Sequence, residues 1–361
     1  MLKKYINQKE SSQRSSITMI KKTTLILILF IGFSVSSQVT DFNHIDFTIA
    51  ENTAKLYENE DINNLPLLTH KLTYKLTTEV EKFRAIYYWV CHNIRNDYTA
   101  FLKINQKRKK LKNDSIAFLN WHNEYKKKLF NRLLKHKKTV CTGYAYLIKE
   151  MAFIAGIECV IVDGYGRNIT SNIDTLGLPN HSWNAVKLNE KWYLCDATWS
   201  SGYTNEKFTF LNDYNDGYFL TDPTLFAKSH QPLLKKWLLD TNQTNQEFIS
   251  APIIYDATFE QKIIPLIPNT LHIETYNNEK LYFKFKTLKT IHLNTVFLIY
   301  YTNNGSEIKL KINDLQNNNG FISFNHILSK KGIYDFHVKM NSEIISSYTV
   351  YVERQKKSIN Y

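Results

Sequence analysis

The sequence predicts an α+β protein in two parts, a helix-rich core that runs into strands and a C-terminal antiparallel β-sandwich of the Ig-like kind. Three observations carry this reading. Helical apolar spacing dominates residues 81–155, β-branched and aromatic runs follow from Glu158 to Ala197, and after about Ser250 apolar and polar residues alternate between Asn-rich turns. With 361 residues, 43% apolar and 22% charged, the chain has material for about two ordinary domains, which excludes the disordered and fibrous classes.

The elements follow in chain order. Residues 20–38 combine Lys21 and Lys22, a largely apolar run from Leu25 to Val35, and small residues around Ser37. That pattern predicts a secretory signal peptide over residues 1–37, with Met19 as an alternative start and cleavage after Ser37. The apolar run is about half the roughly 20 residues a membrane-spanning helix needs, and no Cys follows the site to carry a lipid. An exported protein, periplasmic or extracellular, is therefore expected.

Scattered helical character from Ile45 to Lys82 gives way to a stronger helix, Glu81–Ile94, with Phe83, Val90 and Ile94 along one face. Residues 103–138 are strongly basic, and part of them forms an amphipathic pattern with Phe118, Trp121, Tyr125, Leu129 and Leu133 on one stripe. Thr142–Ala155 is the next helix, stopped by Gly156. Glu158–Asp163 and Ser182–Ala197 read as strands, and residues 202–240 as loops. A boundary near residues 245–260 separates a core over 38–245 from a sandwich over 255–361. In the sandwich Leu281, Phe283 and Phe285 form one alternating set, Ile308, Leu310 and Ile312 a second, and Tyr334, Phe336 and Val338 a third. Turns at Asn277-Asn278, Asn303-Asn304-Gly305 and Asn317–Gly320 separate about seven strands.

The formal charge of +13 is concentrated rather than spread. Residues 103–138 hold eleven Lys and two Arg against Asp114 and Glu124. Most of the segment is expected to be a solvated helix face; a functional reading is that it attracts an acidic substrate or an anionic surface. Export argues against a nucleic-acid partner. No nucleotide cofactor is expected either, because Gly164-Tyr165-Gly166 lacks the other glycines of a phosphate loop.

The chemistry centres on Cys141, His181 and Asp196. Cys141 precedes a helix, where backbone N–H groups and the helix dipole favour a thiolate and could hold an oxyanion. A two-residue turn at Asn189-Glu190 pairs Leu188 with Lys191, which sets His181 opposite Thr198 and puts Asp196 on the same face as His181. Cys195 then points to the other face, outside the site. The three residues suit a nucleophile, a proton-transferring imidazole and a carboxylate that orients it. A zinc site built from the same types lacks paired-ligand spacing, so no metal is expected. Cys91, Cys159 and Cys195 complete the cysteine set, and a disulfide through Cys141 would remove the nucleophile.

The words around these residues extend the pattern. Cys141-Thr142-Gly143-Tyr144-Ala145, His181-Ser182-Trp183-Asn184-Ala185-Val186 and Trp192–Trp199 lie in the order Cys, His, Asp. Tyr218–Pro223 and Ser229-His230-Gln231-Pro232 follow, and Ile86–Val90 with Asn93-Ile94-Arg95 precede them. Together they resemble the transglutaminase-like superfamily, related in logic to papain-type proteases, and within it the kyphoscoliosis-peptidase branch. The resemblance runs over residues 57–240 and implies a Cys141–His181–Asp196 enzyme acting on protein or peptide amides through an acyl-thioenzyme. Hydrolysis is favoured over cross-linking because no acidic calcium loop is visible. The other class is a non-catalytic binding or scaffold protein of the cell envelope. The side-chain oxyanion donor is left open among Trp89, Tyr98 and Trp121.

Overall fold

The computed structural model describes residues 41–171, 174–290 and 295–354. The expected signal peptide, residues 1–37, lies outside the described residues.

Three helices open the described chain: α1 (Thr48–Leu56), α2 (Leu65–Thr73) and α3 (Glu79–Asn93). Thr78 and Glu81 form a reciprocal capping box that starts α3 two residues before the periodicity suggests. Phe83, Ile86, Tyr87 and Val90 of α3 are fully buried. Arg84, also buried, joins Glu51 of α1 to Asp216 far along the chain and lies 4.6 Å over the Phe219 ring.

The basic segment folds as a helical hairpin, α4 (Tyr98–Lys110) and α5 (Ser115–His136). Its ends are tied together by two short strands, β1 (Arg95–Asn96) and β2 (Lys138–Thr139), which pair in parallel. Asp97 and Asp114 cap the two helices, and Asp97 also forms an ion pair with Arg132 at 2.8 Å. The expected stripe on α5 faces inward: Phe118, Tyr125, Leu129 and Leu133 are buried, Trp121 partly so. Ala100 and Ile104 of α4 meet it together with Val140, so the hairpin packs against the residue just before Cys141.

Helix α6 (Cys141–Ile154) follows, with Cys141 as its first residue rather than the residue before it. It packs on an antiparallel sheet of order β5-β4-β3-β8, made of β3 (Cys159–Gly166), β4 (His181–Leu188), β5 (Lys191–Cys195) and β8 (His230–Pro232). Between β5 and β8 come α7 (Ala197–Ser200), a small hairpin of β6 (Gly202–Thr204) and β7 (Phe210–Asn212), and α8 (Pro223–Phe226). The sheet has two apolar faces. Val186, Leu188, Tyr193 and Cys195 join the helices, while Trp183, Ala185 and Leu194 join Tyr218, Phe226, Phe259 and Ile264.

Residues 245–260 are folded rather than open linker. Helix α9 (Asn245–Ser250) precedes β9 (Ile253–Ile254), which pairs with the last strand of the chain, and α10 (Asp256–Glu260) packs on residues 216–218. The sandwich sheets are β10 (Ile263–Ile267), β12 (Lys280–Thr287), β16 (Phe321–Ile327) and β15 (Asn313–Asn318), facing β11 (His272–Tyr276), β18 (Glu343–Glu353), β17 (Gly332–Met340), β13 (Val296–Tyr301) and β14 (Glu307–Leu310). That is more strands than the seven expected, and β11 pairs parallel to β18 in an otherwise antiparallel pair of sheets. Leu281, Phe283, Phe285, Phe336 and Val338 point into the core as the alternation requires. Of the Ile308 set, Leu310 and Ile312 are half-buried against the same core, while Ile308, on the edge strand β14 with one neighbour, stays 37% exposed.

One contact fixes where α6 begins. A Cβ on Gly143 would lie 1.9 Å from Thr139 Oγ1, so the first turn of α6 rests directly on β2. Helix propensity alone would make Gly143→Ala stabilising by about 1 kcal/mol. The contact reverses the sign, and overpacking should instead lower stability by about 1–3 kcal/mol. Urea unfolding of the variant checks this; an increased midpoint would refute the packing argument.

Candidate active site

The hairpin β4–β5 has the register that the sequence implies. Asn189 and Glu190 both take positive φ (48° and 64°), as a type I′ turn requires, and Leu188 pairs with Lys191. The ladder continues to Asn184 opposite Cys195 and stops there. Thr198 is therefore not opposite His181, contrary to expectation. Asp196 leaves the strand and becomes the N-cap of α7, its Oδ1 accepting from the N–H groups of Thr198 (2.8 Å) and Trp199 (3.3 Å). The parity argument survives the change, because Asp196 still faces the His181 side. His181 Nε2 lies 2.7 Å from Asp196 Oδ2, and both residues are buried.

Cys141 reaches the same place from α6. With Nε2 of His181 bonded to the carboxylate, the other ring nitrogen, Nδ1, is the one left to meet the thiol, and the charges of Cys141 and His181 act on each other. Burial pushes the Cys141 thiol up. His181, the Ser182 backbone N–H and the Arg108 guanidinium outweigh it and hold the thiol below its ordinary value. Burial likewise pushes His181 down, but Asp196 and the thiol carry it up to about 10. Asp196 is held well below the usual carboxylate range by His181 and His230 in spite of its burial. The arrangement favours a thiolate–imidazolium pair backed by a carboxylate.

His230, in the Ser229-His230-Gln231-Pro232 motif, joins the site as well. Its Nε2 lies 3.2 Å from the same Oδ2 of Asp196, and its Nδ1 is 2.8 Å from Ser229 Oγ. Burial pushes His230 down to about 4, so the ring is neutral. A neutral ring facing an ionised carboxylate must carry its proton on Nε2, leaving Nδ1 to accept from Ser229. Phe226 stacks on His230 at 3.8 Å, and Trp199 lies 4.8 Å over His181 and 4.5 Å from His230. The donor atoms of His181, Asp196 and His230 lie within 4.8 Å of one another, close enough to suit a metal ion. A zinc ion about 2.0 Å from each donor would hold the His181 nitrogen and the carboxylate oxygen further apart than the observed 2.7 Å. As it stands, this is a hydrogen-bonded cluster.

The remaining motif residues hold these parts in place. Asn184 Nδ2 donates to the carbonyls of Ala145 (2.9 Å) and Val160 (3.2 Å), which clamps the cysteine helix to the histidine strand. Tyr144 Oη donates to the Ile94 carbonyl at 2.7 Å, tying α6 to the end of α3. Gly166 lies under the imidazole, where a Cβ would come within 3.0 Å of the His181 ring. The two glycines that fail as a phosphate loop thus make room, Gly166 for His181 and Gly164 for the Trp183 ring and the β8 backbone.

Two other expectations find a structural answer. Trp89 gives its Nε1 proton to the Tyr57 carbonyl at 2.7 Å, Tyr98 stacks on Phe208, and Trp121 packs inside the hairpin on Tyr125. The Trp89 donor is thereby engaged, and the first-turn N–H groups of α6, which no side chain caps, offer backbone oxyanion donors at Cys141. All four cysteines are free thiols. Burial pushes Cys91, Cys159 and Cys195 up, and Cys195 faces the helix side of the sheet, as parity requires.

Comparison with known proteins agrees with this architecture. Residues 67–197 match the family model described as the transglutaminase-like superfamily. Kyphoscoliosis peptidase of Mus musculus is 32% identical over 244 residues, covering 66% of this chain and 33% of the relative. The Homo sapiens protein of that name is 32% identical over 252 residues, covering 68% and 34%. Hillarin of Drosophila melanogaster is 24% identical over 230 residues, covering 60% and 26%. The matched stretch thus spans about a third of the length of the first two relatives. Among solved structures, a transglutaminase crystal structure covers 50% of this chain and 37% of its own, at 16% identity and a TM-score of 0.25. Through its residues 67–197, the chain belongs to the transglutaminase-like superfamily.

Proposed function

We propose that the protein is a thiol enzyme that transfers acyl groups from protein or peptide amides, with Cys141 as nucleophile, His181 as base and acid, and Asp196 as the group that orients His181. The observation that carries this is a carboxylate 2.7 Å behind the His181 imidazole, with Cys141 at the start of α6 electrostatically coupled to that ring and its thiol held below the ordinary value, on three separate elements. The Cys141 thiolate attacks the amide carbon, and the oxyanion faces the first turn of α6. The His181 imidazolium gives its proton to the departing amine, which leaves an acyl-thioenzyme. An incoming nucleophile then loses a proton to His181, displaces the thiolate and releases the acyl product.

Water as that nucleophile makes the protein a peptidase, the reading supported by relatives that bear that name. A lysine amine would make it a cross-linker. His230 acts as a positioning residue, because its Nε2–H bond fixes the Asp196 oxygen that His181 also uses. We further propose that the chain is exported through residues 1–37 and that the exposed Lys126, Lys127 and Lys128 draw it to an anionic surface.

Incubation with casein and a labelled primary amine separates the outcomes. New peptide termini that vanish in Cys141→Ala support hydrolysis, with activity falling at least about a thousandfold. Incorporated label without new termini would establish cross-linking instead, and neither product would leave a binding protein.

The pH dependence of Cys141 alkylation by iodoacetamide tests the ion pair. A depressed thiol is reactive below the ordinary thiol range, so the acid limb should lie well below that of a free cysteine. Asp196→Asn removes the charge that keeps His181 protonated, and the limb should move up; an unmoved limb would show that Asp196 does not control the pair.

His230→Leu should lower kcat roughly 10–100-fold with little change in KM, and His230→Gln, which keeps a donor, should recover part of the loss. Equal loss in both variants with an unshifted pH profile would reduce His230 to packing.

A further inference from the structure

The helical hairpin brings one charge to the cysteine that the proposed chemistry leaves unassigned. Arg108 lies four residues beyond Ile104 and eight beyond Ala100, so it continues the buried stripe of α4, while Lys109 and Lys110 beside it are exposed. Its guanidinium is half-buried 5.5 Å over the Phe118 ring. Nε donates to the Pro179 carbonyl at 3.1 Å, and Nη1 donates to Asn105 Oδ1. Pro179 stands two residues before His181, and Leu178 and Val140 share the apolar cluster that holds Phe118. The charge is therefore fixed where the hairpin, the residue before Cys141 and the loop before His181 meet.

This cation lacks a carboxylate. Among the described residues no Asp or Glu oxygen comes within ion-pair distance of Arg108, and Nη2 has no hydrogen-bond partner. Its charge is felt at Cys141, and burial, the main influence on Arg108 itself, works against that charge. His122 at the same corner contributes no second cation, since burial, Lys126 and Arg108 push it down to about 4. The two hydrogen bonds and the charge of Cys141 return only part of the desolvation of this half-buried guanidinium, whose burial still weighs most. An arginine fork with a free edge matches a carboxylate.

We propose that Arg108 binds a carboxylate of the acyl donor, so that the site takes amides with a carboxylate close to the reacting carbonyl. The inference rests on the acyl-transfer reading above. The carboxylate has two sources, an Asp or Glu side chain next to the reacting amide or the C-terminal carboxylate of a peptide.

Alkylation of Cys141 in the full chain tests this without a known substrate, because iodoacetate carries the carboxylate that iodoacetamide lacks. Each reagent transfers its CH2 carbon to the thiolate and releases iodide, so thiolate content affects both rates equally and cancels in their ratio. The ratio, normalised to that of glutathione, should favour iodoacetate in the native protein. It should fall by roughly tenfold in Arg108→Gln and be largely kept in Arg108→Lys. The imidazolium of His181 acts in every variant, so the change between variants is the readout. Equal slowing with both reagents would overturn the proposal and make Arg108 a thiolate-stabilising group only. If Cys141 reacts with neither reagent faster than glutathione does, the acyl-transfer reading fails, and this inference falls with it. A misfolded variant would show itself by labelling of Cys91, Cys159 and Cys195 as well, and Arg108→Lys then carries the comparison.

Protection against iodoacetamide separates the two sources. Acetylated tetrapeptide amides containing Glu, but not their Gln counterparts, should slow labelling if the side chain is read. Neutral tetrapeptides with a free C-terminus, but not their amides, should do so if the chain end is read. No protection by either at millimolar concentration would overturn the proposal.

Discussion

The carboxylate of Asp196 is the constraint around which the site is assembled. One oxygen ends the β5 strand by capping α7, and the other accepts from both His181 and His230. Its backbone N–H in turn donates to the Tyr218 carbonyl at 3.2 Å. A fully buried carboxylate is tolerable only when its lone pairs are met, and here the two cap N–H groups and the two imidazoles meet them together. The fold thus holds the catalytic candidate by the same bonds that turn the chain from strand to helix.

From that anchor the geometry propagates in two directions. Through His181 it reaches Cys141, and the cysteine helix cannot drift because Asn184 clamps it to the histidine strand while Gly143 seats its first turn on β2. Through His230 it reaches β8, whose Pro232 and Gln231 pair with Gly164 and Tyr165. Aromatic rings fill the space around the imidazoles: Trp199 over His181, Phe226 over His230, Trp183 beneath both. A low-polarity surround strengthens each charge interaction inside it, which is what lets a neutral His230 and a protonated His181 share one oxygen.

Much of this was legible from residues close in sequence. The Asn189-Glu190 turn sets the register of β4 and β5, and period-two alternation then places His181 and Asp196 on one face and Cys195 on the other. The extension of β5 to Thr198 failed because an Asp followed by free N–H groups forms a cap more readily than another strand residue. The contact of His230 with Asp196 joins residues 34 apart across several loops, and no periodicity connects them. The sandwich shows the same division. Alternation identified the central strands β12 and β17, where both faces are specified. On β14, an edge strand with one neighbour, it holds only in part, because Leu310 packs against the core while Ile308 stays exposed.

The basic charge follows two physical rules within one segment. Most of the lysines of residues 103–138 are on the solvated side of the hairpin, where salt screens them and their effect is collective. Arg108 is on the apolar side at helical spacing from Ala100 and Ile104, where a single charge is poorly screened. A composition count weights the two alike, although only the second can act on one bond of a substrate. The hairpin is tied at its base by β1 and β2, and its inner face is constrained by packing on Val140, the residue before the cysteine. The strong positive charge is therefore a property of the outer surface, and the hairpin's chemical influence on the site is concentrated in one inward guanidinium.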